Sequence, residues 1–121
     1  MAHHEIFIDR VVDQQQNEHA VPRGIPNFML VGDSVEYLSP AGDFVRITFD
    51  DPDKGSPPSL LHSPFLDSTG NEKRVVTSTD GKITVSNRGI FFCHCFLTAK
   101  GQSEIGWGAK SLLSGGNHDV R

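Results

Sequence analysis

The stretch Gly89-Ile90-Phe91-Phe92-Cys93-His94-Cys95-Phe96-Leu97-Thr98 decides the fold. In an extended chain successive side chains point to opposite faces, so Phe91, Cys93, Cys95 and Leu97 share one face, and Ile90, Phe92, His94 and Phe96 share the other. Both faces are apolar, while the run is far shorter than the ~20 residues a membrane-spanning helix needs. It reads as a central strand. A sandwich sheet buries one face against its partner sheet, so the second face requires a cover: a long loop, a terminal segment or a partner chain. A covering loop or terminal segment is the expectation, with a homodimer as the other way to bury that face.

The flanking sequence repeats the strand signal. Residues 43–49 alternate, with Val45, Ile47 and Phe49 on one face and Arg46 and Thr48 on a wet one. Residues 5–12, 27–31, 34–38 and 104–107 carry shorter strand patterns, and 73–78 and 82–86 flank Thr79-Asp80-Gly81 as a hairpin would. Helical spacing is nearly absent: 14–20 and 109–114 allow a turn or two before Pro22 and Gly115-Gly116 stop them. About eight strands joined by turns predict an all-β antiparallel sandwich, a single domain over 1–121.

Three longer connections interrupt the spacing, at 13–26, 50–72 and 108–117. The loop at 50–72 contains Leu60, Leu61, His62, Pro64, Phe65 and Leu66, too apolar to remain solvated, and is expected to fold back onto the sandwich. Its Asp50, Asp51, Asp53 and Gly55 echo a calcium loop without the full ligand pattern, so a solvated acidic turn is the expectation there.

Charge restricts the partners. Against 15 Asp and Glu stand 11 Lys and Arg, a formal charge of −4, and no basic stripe or Arg-rich helix occurs, which argues against nucleic acid and anionic membranes. Residues 1–10, MAHHEIFIDR, lack the pattern of a secretory signal, so the expected location is cytoplasmic.

Val31-Gly32-Asp33-Ser34-Val35-Glu36-Tyr37 resembles the V-G-D-x-V-x-aromatic segment of the cupredoxins, the small blue-copper β-sandwich family. A later strand of that family reads G-x-aromatic-x-aromatic-x-Cys, and Gly89, Phe91, Cys93 and Cys95 occupy those spacings. The resemblance spans 27–98 and implies a cupredoxin-like Greek-key sandwich; such short motifs report fold more than function. A blue-copper site needs two imidazoles, a thiolate and a weak axial ligand such as Met. The stretch matching the first ligand, Ala41-Gly42-Asp43-Phe44-Val45, has no His; residues 96–102 after Cys95 hold neither His nor Met; and Met1 and Met29 both lie upstream. The usual copper centre is therefore not expected, and no cofactor is assigned.

Other chemistry gathers at Cys93-His94-Cys95. Both sulfurs share a strand face with His94 behind it, so a regular strand cannot offer all three to one ion, and the cysteines are expected to be small buried hydrophobes. The alternative is a nonstandard copper or zinc site built from Cys93, Cys95 and His94 with His118 or His62. No G-x-S-x-G elbow or phosphate-cradling glycine loop occurs, and Ser, His and Asp are too scattered to single out a triad, so no enzyme is expected. Trp107, the one tryptophan, lies between two glycines near Asn117, His118 and Asp119. It either caps the core or forms an aromatic platform for a sugar or peptide. The sequence thus predicts a small soluble noncatalytic binding or assembly module, metal-free and cupredoxin-like. Its candidate contact residues are Trp107, His118, His62 and Phe65, and its partner is a protein or a second copy.

Overall fold

The period-two alternation of 43–49 and 89–98 is realised as the two central strands of one sheet, and β-branched and aromatic residues supply the rest. The computed structural model describes residues 1–49, 61–108 and 110–121. Among these, the strands are β1 (His3–Val12), β2 (Glu18–Arg23), β3 (Ser34–Leu38), β4 (Phe44–Thr48), β5 (Val75–Thr77), β6 (Ile83–Thr84), β7 (Gly89–Thr98), β8 (Ile105–Gly106) and β9 (Gly115–Val120). Two single 3-10 turns, Ser78–Asp80 and Leu112–Ser114, complete the regular structure, and the described residues contain no α-helix. No helix is long and apolar enough to cross a membrane.

The chain is all-β, with two sheets. The smaller has the order β2-β1-β3-β6, and the larger the order β5-β4-β7-β8 with β9 also on β7. His94 pairs with Thr48 of β4 and with Gly115 of β9, so β4 and β9 flank opposite edges of β7 and β8 continues β9's edge. The odd residues of β7, Phe91, Cys93, Cys95 and Leu97, enter one buried cluster with Ile6, Ile8, Val35 and Tyr37 of the smaller sheet and Val45, Ile47 and Phe49. This is the face division read from the sequence.

Four expectations change. The sheets are not antiparallel throughout: β1 and β3 run parallel, from His3 opposite Ser34 to Phe7 opposite Leu38. After β2 the chain leaves for the other sheet, where Met29 N donates to Asp119 O at 2.8 Å and Arg121 N to Met29 O at 2.8 Å. It returns beside the start of β1, and Asp33 fastens it there by accepting from Ala2 N, Leu30 N and His4 Nε2. β3 then has to run in β1's direction.

The hairpin expected around Thr79-Asp80-Gly81 does not form either. β5 lies in the larger sheet and β6 in the smaller. Asp80 Oδ2 accepts from Thr77 N at 2.8 Å, closing a tight turn, and Gly81 at φ +65° redirects the chain between sheets. Thr48, read as wet, is buried, with no hydrogen-bond partner for Oγ1 among the described residues. Finally, in the described part of the loop expected to fold back onto the sandwich, Ser63, Pro64 and Phe65 go inside while Leu61 and Leu66 stay exposed. Phe65 is fully buried, edge-on to Tyr37 at 6.3 Å and to Phe49 at 5.6 Å. Its backbone is held by Lys73 N donating to Phe65 O at 2.9 Å, and Glu72 accepts from the amides of His62 and Ser63. The acidic stretch Asp50, Asp51, Asp53 and Gly55 lies outside the described residues, as does Leu60.

Candidate functional site

The even residues of β7 set the outer face of the larger sheet: Ile90, Phe92, His94 and Phe96. Phe96 and His94 are covered in different ways, and Ile90 is left bare. Arg46, the register partner of Phe96 on β4, lays its guanidinium 4.0 Å from the centre of the Phe96 ring. Glu104 holds that guanidinium in a two-pronged pair, Nε to Oε2 at 2.9 Å and Nη2 to Oε1 at 2.7 Å. A planar cation fixed this way packs on an aromatic face better than a free one would.

His94 is covered by Trp107. β8 ends at Gly106 and Trp107 N still donates to Cys95 O at 3.2 Å, which carries the indole back across the sheet. The two rings stack at 4.2 Å with 14° between planes, and Phe92 meets both edge-on, at 5.2 Å from His94 and 5.6 Å from Trp107. Trp107 is half-buried, with one face spent on His94. Ile90 has no such cover and is 74% exposed. Ile90 pairs with Asp119 of β9, whose carbonyl accepts from Met29 N, so the exposed Phe28 and Leu30 flank the same end of the sheet. Arg121 reaches over Phe28 at 4.6 Å. An apolar strip bordered by the paired Arg46 and Arg121 therefore lies along this face, with the buried Thr48 hydroxyl beside His94.

The four contact residues read from the sequence do not converge. His118 and Phe65 are fully buried in the interior, where Tyr37 Oη hydrogen-bonds His118 Nε2 at 2.7 Å and Phe49 meets the imidazole edge-on at 5.4 Å. Neither offers a surface. His62 is half-buried in the segment leading to Phe65, and only Trp107 belongs to the exposed sheet face. The ring of His118 was expected outside because Ser114-Gly-Gly-Asn reads as a flexible loop; instead Gly115 and Gly116 begin β9, which turns His118 inward.

The metal alternative meets the same geometry. Cys93, Cys95 and His118 face the interior, and His94 lies on the opposite face of the sheet. Among the described residues no group of three or more His, Cys, Asp and Glu side chains converges to hold an ion. The Cys93–Cys95 hydrogen bond pushes Cys95 up, and burial adds to it; the same bond, helped by His118, pulls Cys93 down against its own burial. Burial also raises the Tyr37 hydroxyl well above the usual tyrosine range.

One open groove lies elsewhere, lined by Asp9, Arg10, Ser39, Pro40, Ala41 and Asp43, where Arg10 pairs with Glu18 at 2.9 Å and Asp43 at 3.4 Å. Its charges are matched, and none of the candidate contact or metal-ligand residues read from the sequence lines it. No protein-family model matches the chain, and neither a curated protein nor a solved structure does.

Proposed function

We propose that this chain is a binding module of cupredoxin-like, Greek-key type that works without a metal and engages a protein partner through the outer face of its larger sheet. The observation that carries this reading is Ile90, 74% exposed on the strand that also builds the core. A large aliphatic side chain in that position loses water only when something docks on it. Half-buried Phe92 and Trp107 extend the apolar surface, and the Arg46–Glu104 pair gives it a polar border. Apolar centres with aromatic anchors and polar rims are the usual anatomy of protein contacts. The cupredoxin resemblance rests on the segment 31–37 and on the spacing of Gly89, Phe91, Cys93 and Cys95, and the buried Asp33 that ties β3 to the N-terminal strand gives the first motif a structural reason to be there.

Selection of 12-residue peptides from a random library on the immobilised protein tests the reading. Peptides that bind, shift the emission of the single Trp107 and lose at least about tenfold in affinity on Ile90→Glu are the expected result. Ile90→Glu should change stability by no more than about 0.5 kcal/mol, as for an ordinary surface substitution. Failure to enrich any peptide, or enrichment of peptides indifferent to Ile90→Glu, sinks the proposal.

A further inference from the structure

Asp13, His19, Ser111 and Ser114 come from three separate segments and form one continuous hydrogen-bonded chain. His19 Nε2 lies 2.8 Å from Asp13 Oδ2, and His19 Nδ1 lies 2.8 Å from Ser111 Oγ. Ser111 Oγ is 2.7 Å from Ser114 Oγ, which accepts from Ala20 N at 3.1 Å. With the imidazole neutral, donor chemistry sets each direction. A carboxylate only accepts, so in the neutral imidazole Nε2 carries the proton and Nδ1 has the lone pair. Ser111 therefore donates to His19, Ser114 donates to Ser111, and the Ala20 amide donates to Ser114. Each link draws the Ser111 proton toward the imidazole.

The surroundings strengthen this polarisation. His19 and Ser111 are each 4% exposed, so water competes little for the bonds. The hydrogen bond from His19, aided by the amides of Asn17 and Gln15, holds the Asp13 carboxyl down to about 2. Asp13 is thus ionised throughout the neutral range and stabilises an imidazolium if one forms. The turn that follows Ser111 presents Leu112 and Leu113 to solvent, 70% and 62% exposed. These two exposed leucines directly follow Ser111 in the chain.

We infer that Ser111 is a nucleophile, with His19 as its base and Asp13 as the positioning residue, directed at activated esters of short apolar acids. In the reaction the Ser111 Oγ bonds to the acyl carbon as its proton passes to His19 Nδ1. The bond from the acyl carbon to the leaving oxygen breaks, and that oxygen takes the proton from His19. Water, deprotonated by the same nitrogen, then releases the acid and restores the hydroxyl. This site is independent of the proposed docking face, so either can fail without the other.

The test treats the native protein with a fluorophosphonate, maps the modified serines by peptide mass spectrometry, and follows turnover of p-nitrophenyl butyrate. Ser111 is expected to react about 100-fold faster than the exposed Ser103, the span a positioned base provides. His19→Asn should remove that advantage. Asp13→Asn should lower it, and Asp13→Glu should restore part of it, which a merely structural carboxylate would not do. Thermal melts establish that each variant is folded. If His19→Asn does not fold, the wild-type map still decides. Absence of label at Ser111, a rate no greater than at Ser103, or a rate unchanged in folded Asp13→Asn overturns the inference.

Discussion

Trp107 owes its position to two glycines that leave no room for a side chain, and they fail differently. Gly106 has φ +149°, and a Cβ there would run into the Cys95 carbonyl oxygen and lie 2.8 Å from the Phe96 Cα, atoms of the backbone that cannot yield. At Gly115 a Cβ would lie 2.8 Å from Phe92 Cζ and 2.9 Å from Trp107 Cζ3, the far ends of side chains. Gly106→Ala should therefore cost more than about 2 kcal/mol in chemical denaturation. Gly115→Ala should cost about 1 kcal/mol and move the tryptophan emission, because the indole yields in place of the backbone. Carboxylates make a second residue-scale prediction. Asp33 is held at about 2, first by the Leu30 amide and then by His4, and Asp13 at about 2, first by His19. Both lie below the unfolded value of about 3.9, so their stabilisation is complete above that pH and is lost as pH falls from about 4 to about 2. Urea midpoints measured against pH should drop over that window. In an Asp13→Asn, Asp33→Asn double variant the drop should be shallower.

Among the elements, β7 was the most legible. Its two faces follow from period two alone, and the odd residues are the core. The cover of its even face was not legible, because Trp107 and Arg46 reach it from 11 residues after Phe96 and from another strand, contacts that no local pattern encodes. β9 was missed for a related reason. Gly115-Gly116-Asn117 has no strand propensity, and pairing with β7 selects it because only glycine fits beneath Phe92 and Trp107 and beside Ile25. The hairpin over 73–86 failed because Asp-Gly signals a turn without saying which sheet each arm joins. The segment 61–66 reads as apolar and in need of burial, but only its centre, Ser63 to Phe65, enters the interior, and Leu61 and Leu66 remain exposed. Phe65→Ala should accordingly cost about 3–5 kcal/mol in denaturant unfolding, as for a large core aromatic. A loss below about 1 kcal/mol would mean that Phe65 covers the surface and does not fill the core.

For the molecule as a whole, Cys93 and Cys95 report on cooperativity. Both thiols lie in the cluster that joins the sheets. Reaction with a water-soluble thiol reagent should be slowed at least about 10³-fold relative to the unfolded chain, and its rate in increasing urea should follow global unfolding. Fast labelling in native buffer would show a local opening of β7. The sequence by itself determined the all-β class, the inward residues of β4 and β7, and the burial of both cysteines, because a side-chain period of two converts apolar spacing directly into faces. Only the tertiary structure decided the parallel β1–β3 pair, the inward turn of His118 and Phe65, the Trp107–His94 stack and the meeting of Asp13 and His19 with Ser111. Each of these joins segments distant in the chain. Their meeting depends on which sheet a strand enters and at which register, and those are settled by the packing of the whole core and by no property of the local residues.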